Sequence, residues 1–184
     1  MKNVFLNEAQ IKDIVKRLAL EIKEKFQNDS LPPVVVGVIK GAVPFMTDLI
    51  QELDMEVLVD YIQISSYLGT ESTGIIKFKK DIDTNVKGRK VIIVEDIVDS
   101  GYTLQWIKNY IESNHFPQAV YSCVLLDKKC KRKIPFKCDF IGLEIDDYFV
   151  CGYGLDYNEY FRNEKEIFIP TNEDLARIDK LNNK

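Results

Sequence analysis

The chain has 184 residues, of which 46% are hydrophobic and 29% are charged, and its formal net charge is −4. These values predict a single folded domain over residues 1–184 and exclude collagen, coiled coil and extended disorder. The acidic balance argues against nucleic acid as the main partner, because neutralising phosphates requires a basic surface. No apolar run approaches the roughly 20 residues that span a bilayer, so we expect a cytoplasmic protein with no membrane contact.

The predicted elements alternate between helices and strands along the chain. Asn7, with Gln10 three residues later, predicts the start of an amphipathic helix whose apolar residues recur up to Phe26. Continuous apolar runs predict central strands, because a strand that is buried on both faces is apolar at successive positions. Such runs occur at 34–39 and 91–94. Further strands are predicted at 57–66, 119–126 and 140–145, and further helices at 43–53, 103–114 and 172–181.

This alternation predicts an α/β domain. The stretch 67–80, "YLGTESTGIIKFKK", has two glycines, several hydroxyls and no sustained period, which predicts a mobile loop or a loose hairpin. Loops of this length often carry function. Ligands of open α/β sheets bind at the carboxyl ends of the strands, so the residues that follow the predicted strands are the candidates for a site.

The stretch 91–104, "VIIVEDIVDSGYTL", combines a strand, three carboxylates and a small hydroxyl-rich turn before a helix. The N–H groups, hydroxyls and helix dipole of such a turn suit a phosphate. The carboxylates would repel that phosphate unless they face sugar hydroxyls or a divalent cation. Two interpretations stay open on these residues alone: a sugar-phosphate site, and a helix-capping turn with solvated acids.

The same stretch resembles the binding motif for phosphoribosyl pyrophosphate (PRPP) in type I phosphoribosyltransferases, and "VEDIVDSGYTL" matches every signature position. Four more segments are similar, in the same order, to those of the hypoxanthine-guanine branch. They are "GVIKGAVPF" from residue 37, "SSYLGTESTG" from 65, "LLDKK" from 125 and "YFVCGYGLDYNEYFRN" from 148. The resemblance spans about residues 34 to 169. It implies an α/β fold with a twisted, mainly parallel sheet flanked by helices, and a small hood from the termini and the C-terminal region.

The resemblance also implies roles for individual residues. Asp99 would be the catalytic acid or base, while Glu95 and Asp96 would hold the ribose and Mg²⁺. The 5′-phosphate would be bound by Ser100, Gly101, Tyr102 and Thr103. Pyrophosphate would be bound by Lys40, Gly41, Ser66, Tyr67 and Arg162. The purine would be held by Lys128, Phe149, Val150 and Asp156, of which Asp156 also matches a second magnesium position.

The function implied by the resemblance is purine salvage: a transferase that makes IMP or GMP from hypoxanthine or guanine with PRPP and Mg²⁺. The alternatives are a PRPP-sensing or nucleotide-sensing regulator of the same fold and a pyrimidine phosphoribosyltransferase. Members of the family assemble as homodimers or homotetramers, and the peptide bond before the pyrophosphate lysine is often cis. This sequence departs from many relatives at Ala42, and we expect that Asp127, Asp146 and Asp147 influence base preference.

Overall fold

The computed structural model describes residues 2–66 and 76–182, and of residues 65, 66 and 76–78 it describes the backbone alone. The elements follow one another in the predicted alternation. The helices are α1 (Glu8–Phe26), α2 (Val43–Glu52), α3 (Tyr102–His115) and α4 (Asn172–Asn182). The strands are β1 (Asn3–Leu6), β2 (Val34–Val38), β3 (Leu58–Ser66), β4 (Ile76–Lys80), β5 (Lys90–Val98), β6 (Ala119–Asp127), β7 (Phe140–Glu144) and β8 (Ile167–Ile169).

Six of the strands in the described residues form one sheet in the order β4-β3-β2-β5-β6-β7. Every neighbouring pair is parallel except β3 and β4, which are antiparallel. The remaining two strands, β1 and β8, form a separate antiparallel sheet. The predicted fold class, a mainly parallel sheet flanked by helices, is confirmed.

Helices cover both faces of the large sheet, as the continuous apolar runs of its strands require. On one face, α1 and α2 pack on Ile92 and Val94 of β5. On the other face, α3 packs on Val91 and Ile93. The capping box predicted for α1 is present, because Asn7 and Gln10 each accept a bond from the other's backbone N–H at 3.0 Å. No helix in the described ranges is long and apolar enough to cross a membrane.

One strand prediction was wrong in extent. Strand β5 was predicted to end at Val94, but its pairing with β6 continues to Val98, so Glu95 and Asp96 lie inside the strand. Residues 76–80, which were predicted as part of a mobile loop or loose hairpin, form β4 antiparallel to β3, in agreement with the hairpin alternative. The rest of that predicted loop, residues 67–75, lies outside the described residues.

Candidate active site

The turn between β5 and α3 has backbone donors that could bind an anion. Gly101 is the N-cap of α3, has a left-handed φ of +88°, and provides no side-chain cap. The first turn of a helix has N–H groups without intrahelical partners, so those of α3 are available to a ligand at the positive end of the helix dipole. A side chain at position 101 would be strained, because L residues rarely adopt this φ and an added Cβ would lie 3.1 Å from Arg132 Cδ. The structure therefore places Ser100, Gly101, Tyr102 and Thr103 together in one turn, which we call the anion-binding turn after the ligand predicted for it.

Two neighbouring carboxyl groups on β5 lie just before this turn. Asp96 is buried and accepts a bond from the N–H of Ile97 at 2.8 Å, whereas Glu95 Oε2 is buried with no hydrogen-bond partner. Burial raises the pKa of Glu95 well above its ordinary value, and the charge of Asp96 raises it further. Burial also raises the pKa of Asp96. A cation or a set of hydroxyl donors would stabilise the ionised forms of both carboxyl groups.

The loop after β2 packs directly on Asp96. The peptide bond between Ile39 and Lys40 is cis, and the next residue is Gly41. A Cβ added to Gly41 would lie 2.0 Å from Asp96 Oδ2, so a hydrogen is all that fits there. The segment after β7 closes on the same loop, because a Cβ added to Gly154 would lie 2.0 Å from the carbonyl oxygen of Gly41. Three distant segments thus meet at Gly41.

Four charged side chains form a chain of ion pairs beside this loop. Glu159 Oε2 lies 2.8 Å from Lys40 Nζ and 3.3 Å from Arg162 Nε. Arg162 also lies 2.8 Å from Asp156 Oδ1 and donates to the carbonyl of Gly154 at 2.7 Å. The bonds from Lys40 and Arg162 lower the pKa of Glu159. Lys40 and Arg162, predicted to bind pyrophosphate, thus lie close to Asp156, predicted at a second metal position, with Glu159 between the two cations.

Lys128 and Asp99 meet at the carboxyl ends of β6 and β5. Lys128 is buried, and its Nζ lies 3.6 Å from Asp99 Oδ1, whose side chain is about half exposed. The backbone N–H of Lys128 donates to the carbonyl of Val98 at 2.9 Å, which fixes the lysine beside β5. A charged donor and a proton acceptor therefore stand next to the anion-binding turn.

Phe149 and Val150 follow β7 and are held by the small sheet. Phe149 is 48% exposed, and its ring contacts Tyr157 edge to face at a centroid distance of 5.9 Å. Val150 is buried, and the next residue, Cys151, exchanges two backbone bonds of 2.9 Å with Phe168 of β8. The exposed ring of Phe149 can serve as a stacking surface. Of the two residues predicted on the mobile loop, Ser66 ends β3 with its side chain not described, and Tyr67 lies outside the described residues.

Sequence reasoning did not find three features of this region. Glu159 is one, and no local pattern distinguishes it from the other acids of "LDYNEYFRN". Gly154 is another, and the two glycines of "CGYGLD" are the signal that could have found it, because glycine permits a close backbone approach. The third is the partner of Asp127, whose buried carboxylate pairs with Arg132.

The residues described here converge into no group of three or more metal-binding side chains from histidine, cysteine, aspartate and glutamate. The orphaned Oε2 of Glu95 is an oxygen ligand of the kind that Mg²⁺ prefers. A separate cavity of about 600 Å³ lies between α1, α2 and residues 162–165, and it shares only Arg162 with the site.

Comparison with known proteins agrees with this geometry. Residues 4–158 match the phosphoribosyl transferase domain family. The hypoxanthine-guanine phosphoribosyltransferase of Aquifex aeolicus is 43% identical over 167 residues, which cover 90% of this chain and 93% of the relative.

Two solved structures are also similar. One is a hypoxanthine-guanine phosphoribosyltransferase from Bacillus anthracis, with a TM-score of 0.86, 41% identity, and coverage of 93% of this chain and 99% of the other. The other is the Trypanosoma cruzi hypoxanthine phosphoribosyltransferase in complex with the product IMP, with a TM-score of 0.87, 32% identity, and coverage of 93% and 95%. The predicted resemblance, enzyme class and assignment to purine salvage are confirmed. The chain therefore belongs to the hypoxanthine-guanine phosphoribosyltransferase family.

Proposed function

We propose that the chain transfers the phosphoribosyl group of PRPP to hypoxanthine or guanine, releasing pyrophosphate and forming IMP or GMP. The observation that carries this proposal is the approach of Lys128 Nζ to within 3.6 Å of Asp99 Oδ1, beside the anion-binding turn. The lysine can donate to the 6-oxo group of a purine, and the carboxylate can exchange a proton with a ring nitrogen. The names of the Aquifex and Bacillus relatives support the same reaction.

The sugar phosphate binds at the turn that connects β5 to α3. The N–H groups of the first turn of α3, with the hydroxyls of Ser100 and Thr103, bind the 5′-phosphate. Glu95 and Asp96 accept hydrogen bonds from the ribose hydroxyls, which supply the donors that Glu95 Oε2 lacks. These contacts orient C1 of the ribose toward the purine.

Mg²⁺ fits the acidic residues of this site. Glu95 and Asp96 would hold one ion together with the ribose, and Asp156 would hold a second one beside the pyrophosphate. The buried and unpaired Oε2 of Glu95 supports this assignment, as does the raised pKa of the adjacent carboxyls. When bound, Mg²⁺ would offset the negative charge that develops on the leaving group.

The departing pyrophosphate is held by Lys40, the backbone at Gly41, and Arg162. Lys40 and Arg162 lie on opposite sides of Glu159, so a pyrophosphate group that replaces this carboxylate would contact both cations. Fixed positive charges at this place stabilise the charge that accumulates as the bond to C1 breaks. Ser66 and Tyr67, which begin the segment that leads away from β3, would cover the pyrophosphate and exclude water.

The purine is held between the ring of Phe149 and the turn that bears Lys128. Lys128 donates to the 6-oxo group, and the backbone at Val150 contacts the edge of the base. Asp99 accepts the proton of the purine as the ring nitrogen attacks C1, and it returns that proton in the reverse reaction. The selectivity for 6-oxopurines thus comes from Lys128, because an amino group at the same position would not accept its hydrogen bond.

One assay tests the whole proposal. Purified protein is incubated with PRPP and Mg²⁺ and, in turn, with hypoxanthine, guanine, xanthine, adenine and uracil, and nucleotide formation is measured. We expect IMP and GMP from the first two bases. Turnover of uracil alone would favour the pyrimidine alternative, and PRPP binding without turnover of any base would favour the regulator.

We also propose a homodimer or homotetramer that resides in the cytoplasm, as the family resemblance implies. Light scattering after size-exclusion chromatography measures the assembly directly. A monomer at micromolar concentration would contradict this part of the proposal without affecting the reaction.

A further inference from the structure

The segment after β6 folds back onto the anion-binding turn. It begins with Lys128, passes through a 3-10 turn at Lys129–Lys131, and reaches Lys133, whose N–H donates to the carbonyl of Ser100 at 3.1 Å. The segment from Lys128, the proposed contact to the purine, to Lys133, which bonds to the anion-binding turn (the proposed 5′-phosphate turn), is six residues long. The distance between the purine contact and this turn therefore depends on how the segment is fixed.

Arg132 fixes the segment through its side chain. Its Nη1 donates to the carbonyl oxygen of Asp99 at 3.0 Å, and its Nη2 pairs with Asp127. The side chain is only 13% exposed, its Cδ lies against the hydrogen atoms of Gly101, and its guanidinium lies 5.9 Å from the ring centroid of Phe136. One guanidinium thus contacts the backbone of the catalytic residue and packs on the phosphate turn.

Asp127 provides the anchor for this guanidinium. It is the last residue of β6, pairs in register with Val98 of β5 and Glu144 of β7, and is 1% exposed. Its carbonyl also accepts a bond from the N–H of Ile145 at 2.9 Å. Because β5 and β7 hold Asp127 from both sides, the sheet sets the position of Arg132, rather than the 3-10 turn at Lys129–Lys131.

The chemistry of this contact requires arginine. A guanidinium is planar and presents separate N–H groups to two acceptors at fixed angles, whereas the ammonium of lysine is a single point of charge. Lysine at position 132 could keep the ion pair with Asp127 or the bond to the Asp99 carbonyl, but it would not span both in this geometry. The bridge is therefore specific to the residue type and not only to its charge.

We propose that the Asp127–Arg132 pair is a positioning device that sets the distance between the 5′-phosphate turn and the catalytic Asp99 with its neighbour Lys128. The inference rests on the proposed function of these residues. Neither member of the pair touches substrate, so both act through the backbone that they hold. The pair governs the binding of ligands that carry both a base and a 5′-phosphate, and it leaves the pyrophosphate site on Lys40 and Arg162 unaffected.

The test compares two KM values in the reverse reaction, in which IMP and pyrophosphate form PRPP. For Arg132→Lys we expect the KM for IMP to rise roughly tenfold, as for the loss of one charge-assisted hydrogen bond, and kcat to fall. The KM for pyrophosphate should change by less than about twofold, since that site is not held by this pair. A merely stabilising ion pair would lower the melting temperature and leave the KM for IMP at its wild-type value.

Arg89→Lys is the matched control. Arg89 is also a partly buried arginine that donates to a backbone carbonyl, that of Pro32 at 3.0 Å, but it lies outside the site. Its substitution should leave the KM for IMP unchanged. An equal rise in that KM for both arginine variants would overturn the inference.

A second variant removes both charges together. Asp127→Asn with Arg132→Gln leaves no unpaired buried charge, so it remains informative if Arg132→Lys does not fold. Because the two residues act as one unit, the double variant should raise the KM for IMP about as much as either single change, rather than by the product of both. If the wild-type protein is active and the variants keep its KM values, the positioning role alone is refuted. If the wild-type protein itself shows no turnover, the proposed function is refuted.

Discussion

Glu159 occupies the place between the two cations that we assign to pyrophosphate. Its carboxylate lies 2.8 Å from Lys40 Nζ and 3.3 Å from Arg162 Nε, and a pyrophosphate group must displace it to reach them. Glu159→Gln removes the competing charge and keeps the size of the side chain. It also keeps the backbone bond from the N–H of residue 159 to Asp156 Oδ2 at 2.9 Å. We therefore expect tighter binding of PRPP and pyrophosphate.

The size of the effect follows from the exposure of the pairs. The side chains of Lys40 and Glu159 are more than half exposed, so solvent screens them, and each pair is worth about 0.2–1 kcal/mol. Loss of both pairs amounts to about 0.4–2 kcal/mol, which corresponds to roughly 2-fold to 30-fold in affinity. The exposure favours the lower half of this energy range, about 0.4–1.2 kcal/mol, so we expect the KM for PRPP to fall by about 2-fold to 8-fold.

The assay measures the KM for PRPP at about 0.05 M and about 0.5 M salt, because screening weakens exposed pairs and should shrink the difference between variant and wild type. Glu164→Gln is the control, since this glutamate pairs with Lys2 at 2.5 Å rather than with Lys40 or Arg162, and its loss should leave the KM for PRPP unchanged. An unchanged or higher KM for PRPP in Glu159→Gln would show that Glu159 does not compete with the ligand.

Three further predictions concern the proton carrier, the loop contact and acid stability. Asp99→Asn should lower kcat by roughly 10²-fold or more with little change in PRPP affinity, as for loss of a general base, and equal turnover would remove Asp99 from that role. Gly41→Ala should lower kcat/KM for PRPP by at least about tenfold, because its Cβ would lie 2.0 Å from Asp96 Oδ2. Gly88→Ala, whose Cβ would meet no atom within 4 Å, should cost stability alone, so equal kinetic losses in both variants would contradict the contact. Burial favours the neutral form of Asp60, but bonds from Thr84, Tyr61 and Lys80 lower its pKa from 3.8 to about 2. Asp60 should therefore contribute about 2 kcal/mol above about pH 4, and lose it as the pH falls to about 2. The free energy of unfolding, measured with urea, should fall less steeply between about pH 4 and pH 2 in Asp60→Asn than in the wild type. Parallel pH dependences of the two proteins would refute this.

Local sequence patterns predicted the helices and strands well where residues close in sequence determine where an element begins or ends. The start of α1 depends on Asn7 and Gln10, which are three residues apart, and it appears as predicted. The end of β5 was misjudged because Glu and Asp are depleted in strands, so Glu95 and Asp96 indicated a turn. Pairing of Glu95 with Val124 and of Val98 with Asp127 overrides that preference, and no local pattern reports on pairing.

The site shows the same division. The turn that holds Ser100, Gly101 and Thr103 could be predicted, because these residues lie within four positions and precede a helix. Its binding of an anion stays a prediction. The contact between Gly41 and Gly154 could not be predicted, since it depends on the packing of segments more than a hundred residues apart. The predicted influence of Asp127 on base preference remains a prediction, and the structure directs its carboxylate to Arg132.

The extension of β5 through Glu95 and Asp96 has a consequence for the evolution of this enzyme. The acids proposed for the sugar belong to a hydrogen-bonded strand, whereas Lys128 and Phe149 lie in connecting segments outside the strands. Substitutions in connecting segments are tolerated better than those in a central strand. A directed-evolution library at residues 128–131 and 146–150, which spares Arg132, should therefore yield folded variants with new acceptor bases. A library at Glu95 and Asp96 should consist mostly of variants that do not fold, and few of its members should accept a different sugar.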